Sequence, residues 1–122
     1  MAVRAIRGAT RLQDDDAAEM VAAVRELLDT MIDGNELAPD DLISIIFTAT
    51  ADLTCAFPAA AARGMGLTDV PLMCAQEIDV PGAMPQVVRV MMHAETARTR
   101  AQIWHPYLRG TDALRADPDA DR

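Results

Sequence analysis

VVRVMM, residues 87–92, sets an arginine inside an otherwise unbroken apolar run. In an extended strand successive side chains point to opposite faces, so Val87, Arg89 and Met91 share one face while Val88, Val90 and Met92 share the other. Burying a guanidinium without a partner is costly, so an anion is expected beside Arg89, supplied by the protein or by a ligand.

The chain around this run reads as one sheet with helices between its strands. QVVRVMMHAET, 86–96, is the longest predicted strand, and DVPGAMP before it is a Pro- and Gly-rich turn. VPLMCAQEI, 70–78, reads as a further strand, and LISIIFTAT, 42–50, is β-branched-rich and expected to be buried on both faces. At the N-terminus, VRAIRGATR, 3–11, predicts a first strand in which Gly8 allows a bulge or a close backbone approach.

Between the first two strands, Val21, Val24, Leu28 and Met31 recur at three- and four-residue spacing behind the acidic cluster Asp14, Asp15 and Asp16. That pattern predicts a helix over about 15–33, closed by Gly34-Asn35. PAAAARGMG predicts a short second helix, with Pro58 at its first position and Gly64 or Gly66 as its stop. The pattern from WHPYLRG to ALRAD suggests a last short helix or turn and a closing strand. Strands and helices alternate only partly, which points to a mixed α+β or α/β fold with one main sheet.

A length of 122 residues corresponds to about one domain, expected over 1–115, followed by an acidic tail over 116–122. The apolar fraction of 51% suits a packed core, and no apolar run approaches the ~20 residues that span a bilayer, so no membrane is expected as a partner. The opening MAVRAIRGAT lacks the apolar stretch of a signal peptide, which makes the cytoplasm the expected location and Cys55 and Cys74 reduced thiols. A net charge of −8 argues against nucleic acid, since phosphate binding needs a basic face. All 11 basic residues are Arg, so every one of these cations is permanently charged and fork-shaped.

Few polar residues lie in apolar surroundings: Arg7, Arg63, Cys74, Glu77, Arg89 and Tyr107. Two readings of Arg89 and Glu77 stay open at this point, a structural ion pair joining two strands and a functional site. The spacing of His93, His105, Cys55 and Cys74 matches no metal-ligand pattern, so no metal or other cofactor is expected. Several arginines with one glutamate and no evident nucleophile suit binding a small polyanion and stabilising charge that develops within it.

IRGAT (6–10), TAT and DL (48–50, 52–53), FPA and AR (57–59, 62–63), C, QE and DV (74, 76–77, 79–80), RVMM (89–92), YL (107–108) and LR (114–115) together resemble the monofunctional AroH-class chorismate mutases. The resemblance implies ferredoxin-like subunits, with one mixed sheet and two main helices, assembling as a homotrimeric pseudo-α/β barrel with interfacial active sites. It also implies an isomerase that converts chorismate to prephenate on the route to phenylalanine and tyrosine, without a cofactor.

Carried over residue by residue, the resemblance makes Arg89, Glu77 and Arg7 catalytic. Arg89 would lie against the ether oxygen of chorismate, and Arg7 with Tyr107 would hold the enolpyruvyl carboxylate. Glu77 and the segment Met73, Cys74, Ala75 and Gln76 would take the ring hydroxyl. Phe57, Ala59 and Arg63 would come from the neighbouring subunit, and Leu114 with Arg115 would close the pocket. The chain departs from the family pattern at Ala60, Met73 and Ala75. Two other function classes compete with this one: a non-catalytic trimeric module that binds small carboxylates, and an enamine or imine deaminase with a carboxylate-binding arginine.

Overall fold

The computed structural model describes residues 1–116. Strand β1 (Ala2–Arg11) leads into helix α1 (Ala17–Gly34), then β2 (Leu42–Ala49), α2 (Ala59–Gly64), β3 (Leu72–Gln76), β4 (Val87–Thr96) and α3 (Asp112–Ala116). Short 3-10 turns at Pro39–Asp41 and Arg100–Gln102 complete the described elements. The strands form one four-stranded sheet in the order β1-β4-β2-β3. β2 and β3 are parallel, joined by the crossover through α2, and β4 runs against all the others.

This is a mixed α+β fold, but the ferredoxin-like expectation does not hold. A ferredoxin-like chain runs β-α-β-β-α-β, whereas here the order is β-α-β-α-β-β and β4 inserts between β1 and β2. Only α1, at 18 residues, is long; α2 has 6.

α1 covers one face of the sheet. Asp16 caps it by accepting a hydrogen bond from the Glu19 N–H at 2.9 Å, and the Glu19 carboxylate in turn accepts from the N–H groups of Gln13 and Asp14. Its buried stripe is Met20, Ala23, Val24, Leu27, Leu28 and Met31, while Val21, expected within the stripe, is 38% exposed. These side chains form a core with Ile6, Ile45, Phe47, Val88, Val90 and Met92 from the strands. Gly8 makes no bulge, since β1 pairs with β4 in unbroken register. It permits close approach instead: a Cβ there would sit 2.7 Å from the Met31 sulfur and 3.0 Å from Leu27.

Three other expectations change in detail. β2 is fully buried on one face only, with Ile43 exposed and Ile46 half-buried, because no helix covers the opposite face. Pro58 caps α2 instead of opening it, and the stop falls at Gly64 and Met65, with Gly66 at φ +86°. No closing strand follows residue 96 among the described residues; the chain touches the sheet edge only where Tyr107 forms a lone parallel bridge with Ala9. The tail expected over 116–122 lies outside the described residues from 117 onward.

Candidate active site

The sheet register assembles the site. Arg89 on β4 stands opposite Thr48 of β2 on one side and Ala9 of β1 on the other, and Met91 stands opposite Ile46 and Arg7. Directly paired residues project from the same face, so Arg7, Thr48 and Arg89 share the face that α1 leaves open. Tyr107 is brought to the same place by the edge of β1: the Ala9 N–H donates to the Pro106 carbonyl at 3.1 Å, and the Leu108 N–H donates to the Ala9 carbonyl at 2.8 Å. His105 fixes the entry to that segment, its Nδ1 accepting the Arg7 backbone N–H at 2.9 Å. The result is a cavity of about 240 Å³ whose lining includes Arg7, Thr48, Arg89 and Tyr107.

Glu77 follows β3 directly, and its N–H donates to the Ala49 carbonyl at 3.0 Å. Its Oε2 accepts from the Thr48 hydroxyl at 2.9 Å and lies 3.2 Å from Arg89 Nε. The protein therefore supplies an anion for Arg89. The contact is close but off-axis, because Arg89 Nε has no acceptor in hydrogen-bonding geometry. Proximity and direction thus disagree, and the pair is Coulombic more than hydrogen-bonded. The Arg89 side chain also keeps 41% of its surface open, so the burial that the sequence suggested is incomplete in the single chain. Its open part faces both the Arg7 cavity and a second one of about 310 Å³ lined by Glu77, Ile78 and Asp52.

The remaining candidates lie elsewhere. Cys74, Ala75 and Gln76 line a separate groove of about 620 Å³ with Phe57 and Ala60. Met73 is exposed on the open sheet face, where it pairs with Ile46. Arg63 is exposed near the end of α2. Ala59 is only 4% exposed and belongs to the core, so Ala60, not Ala59, presents a surface to the groove. In α3, Leu114 is half-buried and Arg115 Nη1 donates to the His105 carbonyl at 3.4 Å. Within one chain, Phe57, Arg63, Leu114 and Arg115 do not line the cavity that holds Arg7 and Arg89.

Two supporting contacts were not foreseen from sequence, where Asp15 and Asn35 marked only the ends of α1. Asp15 accepts from the Thr54 N–H, the Thr54 hydroxyl and the Cys55 N–H at 2.8–2.9 Å, tying the loop before Phe57 to the start of α1. Hydrogen bonds from Cys55 and Thr54 hold the Asp15 carboxyl below its ordinary value, while burial and the neighbouring carboxylate push the Cys55 thiol up. Buried Asn35 grips the segment that carries His105 and Tyr107: its Oδ1 accepts the Trp104 N–H and its Nδ2 donates to the Trp104 carbonyl, both at 2.9 Å.

Comparison with known proteins gives the chain's family. The model of chorismate mutase type I matches residues 3–118. The chain is 42% identical to "Chorismate mutase AroH" of Thermus thermophilus over 120 residues, 98% of this chain and 97% of that protein. It is 39% identical to the protein of the same name from Bacillus subtilis (strain 168) over 118 residues, 96% and 93% of the two. A solved chorismate mutase from Clostridium thermocellum superposes with a TM-score of 0.89 at 52% identity, covering 91% of this chain and 99% of its own. From its length, sequence and fold together, the chain belongs to the type I chorismate mutases.

Proposed function

We propose that the chain rearranges chorismate to prephenate in a site shared between three copies, with Arg89 as the principal electrostatic catalyst. The observation that carries this reading is the shared cavity of Arg7, Arg89 and Tyr107. In it, Arg89 lies beside a carboxylate without donating a well-directed hydrogen bond to it from Nε, and 41% of its side chain stays open toward a ligand.

The reaction is a unimolecular Claisen rearrangement. It needs no nucleophile, and acceleration can come from holding the substrate in its folded conformer and stabilising charge separation. As the C–O bond lengthens ahead of C–C formation, negative charge gathers on the ether oxygen. A guanidinium already in place there stabilises the transition state more than the ground state. Arg7 and Tyr107 take a substrate carboxylate. Glu77 accepts the ring hydroxyl and steadies Arg89. Since the chain as a whole carries −8, a dianion must find local positive charge, which the cavity's two arginines provide.

Assembly as a trimer is supported by the face of the sheet that no helix covers. Val3 and Met73 there are 57% and 59% exposed, and Phe57 and Ile78 beyond it are 71% and 87% exposed. Apolar surface of this kind calls for a partner, and a second copy would bring Phe57 and Arg63 toward Arg89. The direct test incubates the purified protein with chorismate and follows its loss and the appearance of prephenate. Turnover excludes the binding-module and deaminase alternatives, and unchanged chorismate would overturn the proposal. Sedimentation should report three chains; a fully active monomer would refute the shared site.

A further inference from the structure

We infer that Thr48 is a positioning residue for the rearrangement, its hydroxyl fixing the Glu77 carboxylate so that one oxygen serves Arg89 and the other faces substrate. The inference deepens the proposed mechanism and rests on it.

Thr48 lies in the middle of β2, where the sequence pattern asks only for a β-branched strand former. Its register makes it more than that. It is the direct cross-strand partner of Arg89 on β4, and on its other side it pairs with Ala75, two residues before Glu77. It therefore bridges the strand bearing the cation and the strand delivering the carboxylate. The hydroxyl donates to Glu77 Oε2 at 2.9 Å, the same oxygen that lies 3.2 Å from Arg89 Nε. No described residue donates to Oε1.

A carboxylate beside an arginine ordinarily settles into a two-pronged pairing with it. Here the off-axis contact shows that Glu77 does not. The Thr48 hydroxyl supplies a reason, because it donates to the same Oε2 that lies beside Arg89 Nε and so competes with the guanidinium for that oxygen. Glu77 then neutralises part of the Arg89 charge without a directed hydrogen bond to it, and Oε1 stays available to a hydroxyl on the substrate. Without the Thr48 hydroxyl, Glu77 would close onto Arg89 and compete with the substrate for it.

The test compares Thr48→Val, which keeps the branched shape, with Thr48→Ser, which keeps the hydroxyl. Both are assayed with chorismate for kcat and KM separately, and repeated in a Glu77→Ala background. Thr48→Val should lower kcat about ten-fold, the scale of one hydrogen bond to a charged group, with a smaller change in KM and an unaltered Tm. Thr48→Ser should recover most of that loss. In the Glu77→Ala background the valine substitution should change kcat less than about two-fold, because the group through which Thr48 acts is gone. Equal losses in Thr48→Val and Thr48→Ser would overturn the inference, as would a full ten-fold effect without Glu77. Should Thr48→Val fold poorly, Thr48→Ala against Thr48→Ser reads the same hydroxyl. A wild type that leaves chorismate unchanged would refute the underlying mechanism, whereas a fully active Thr48→Val beside an impaired Glu77→Gln would overturn the Thr48 role alone.

Discussion

Arg89 Nε lies 3.2 Å from Glu77 Oε2 but is not aligned to donate to it, so the pair balances charge without a directed hydrogen bond while much of the guanidinium side chain stays open. This relationship joins the two readings that the sequence left open. The ion pair between strands is real, and it leaves the guanidinium able to act on a ligand. A partly open pair of this kind adds little to stability, on the order of 0–1 kcal/mol, which is why its value has to be sought in the chemistry.

Glu77 should act as an ionised acceptor and not as a general base, because the rearrangement removes no proton from the substrate. Glu77→Gln should lower kcat by about ten-fold or more, the loss expected when a charged hydrogen-bonding partner becomes neutral. The wild type should show no solvent isotope effect on the chemical step. A large isotope effect would mean that a proton is in flight and that Glu77 has a different role.

Asn35→Ala should be among the more damaging substitutions away from the cavity. Asn35 is 1% exposed, and its side chain satisfies the Trp104 N–H and carbonyl together with the Met31 carbonyl. Truncation strands these groups at about 1–3 kcal/mol for each that stays buried. Chemical denaturation should show a loss of at least about 2 kcal/mol with an unchanged m-value. A loss below ~0.5 kcal/mol would show that the Trp104 segment holds its place without this anchor.

Asp15 predicts an acid-sensitive loop. Its carboxyl is held below the ordinary value of 3.8 by hydrogen bonds from Cys55 and Thr54, so the folded state binds its proton less readily than the unfolded chain does. The stabilisation is complete above 3.8 and is lost as pH falls through the lower folded value. Asp15→Asn should lower the denaturation midpoint at pH 6, and the gap to wild type should close as the pH falls below 3.8. A gap independent of pH would show that ionisation of Asp15 contributes nothing.

Much of the fold was legible because local pattern and tertiary environment agree. The three- and four-residue spacing from Val24 to Met31 and the alternation through VVRVMM each match a face that α1 and the sheet bury. Strand order was not legible, since pairing Arg89 with Thr48 and Ala9 joins residues far apart in sequence. The closing strand expected before the acidic tail failed because the chain there forms α3, and the segment through Tyr107 meets β1 at one bridge only. Arg7, Arg89 and Tyr107 stood out as polar residues in apolar surroundings, and the fold gathers them. Thr48 did not stand out, because a threonine in a β-branched run is ordinary until Glu77 is found beside it. The resemblance proved sound for family, while its ferredoxin-like description gave way to a sheet in which β4 lies between β1 and β2.

The central claim is that Arg89 works by stabilising developing charge and not by holding strands together. The most direct measurement replaces Arg89 with citrulline, a neutral side chain of nearly the same shape, and determines kcat, KM and Tm. The account predicts a fall in kcat of about 10²–10³, the scale of losing one transition-state donor, with a much smaller change in KM and a folded assembly that melts close to wild type. Arg89→Lys should also be poor, since one ammonium on a flexible stem cannot reproduce the fork. A citrulline protein that melts early yet keeps its turnover number would contradict the claim and return Arg89 to a structural ion pair with Glu77.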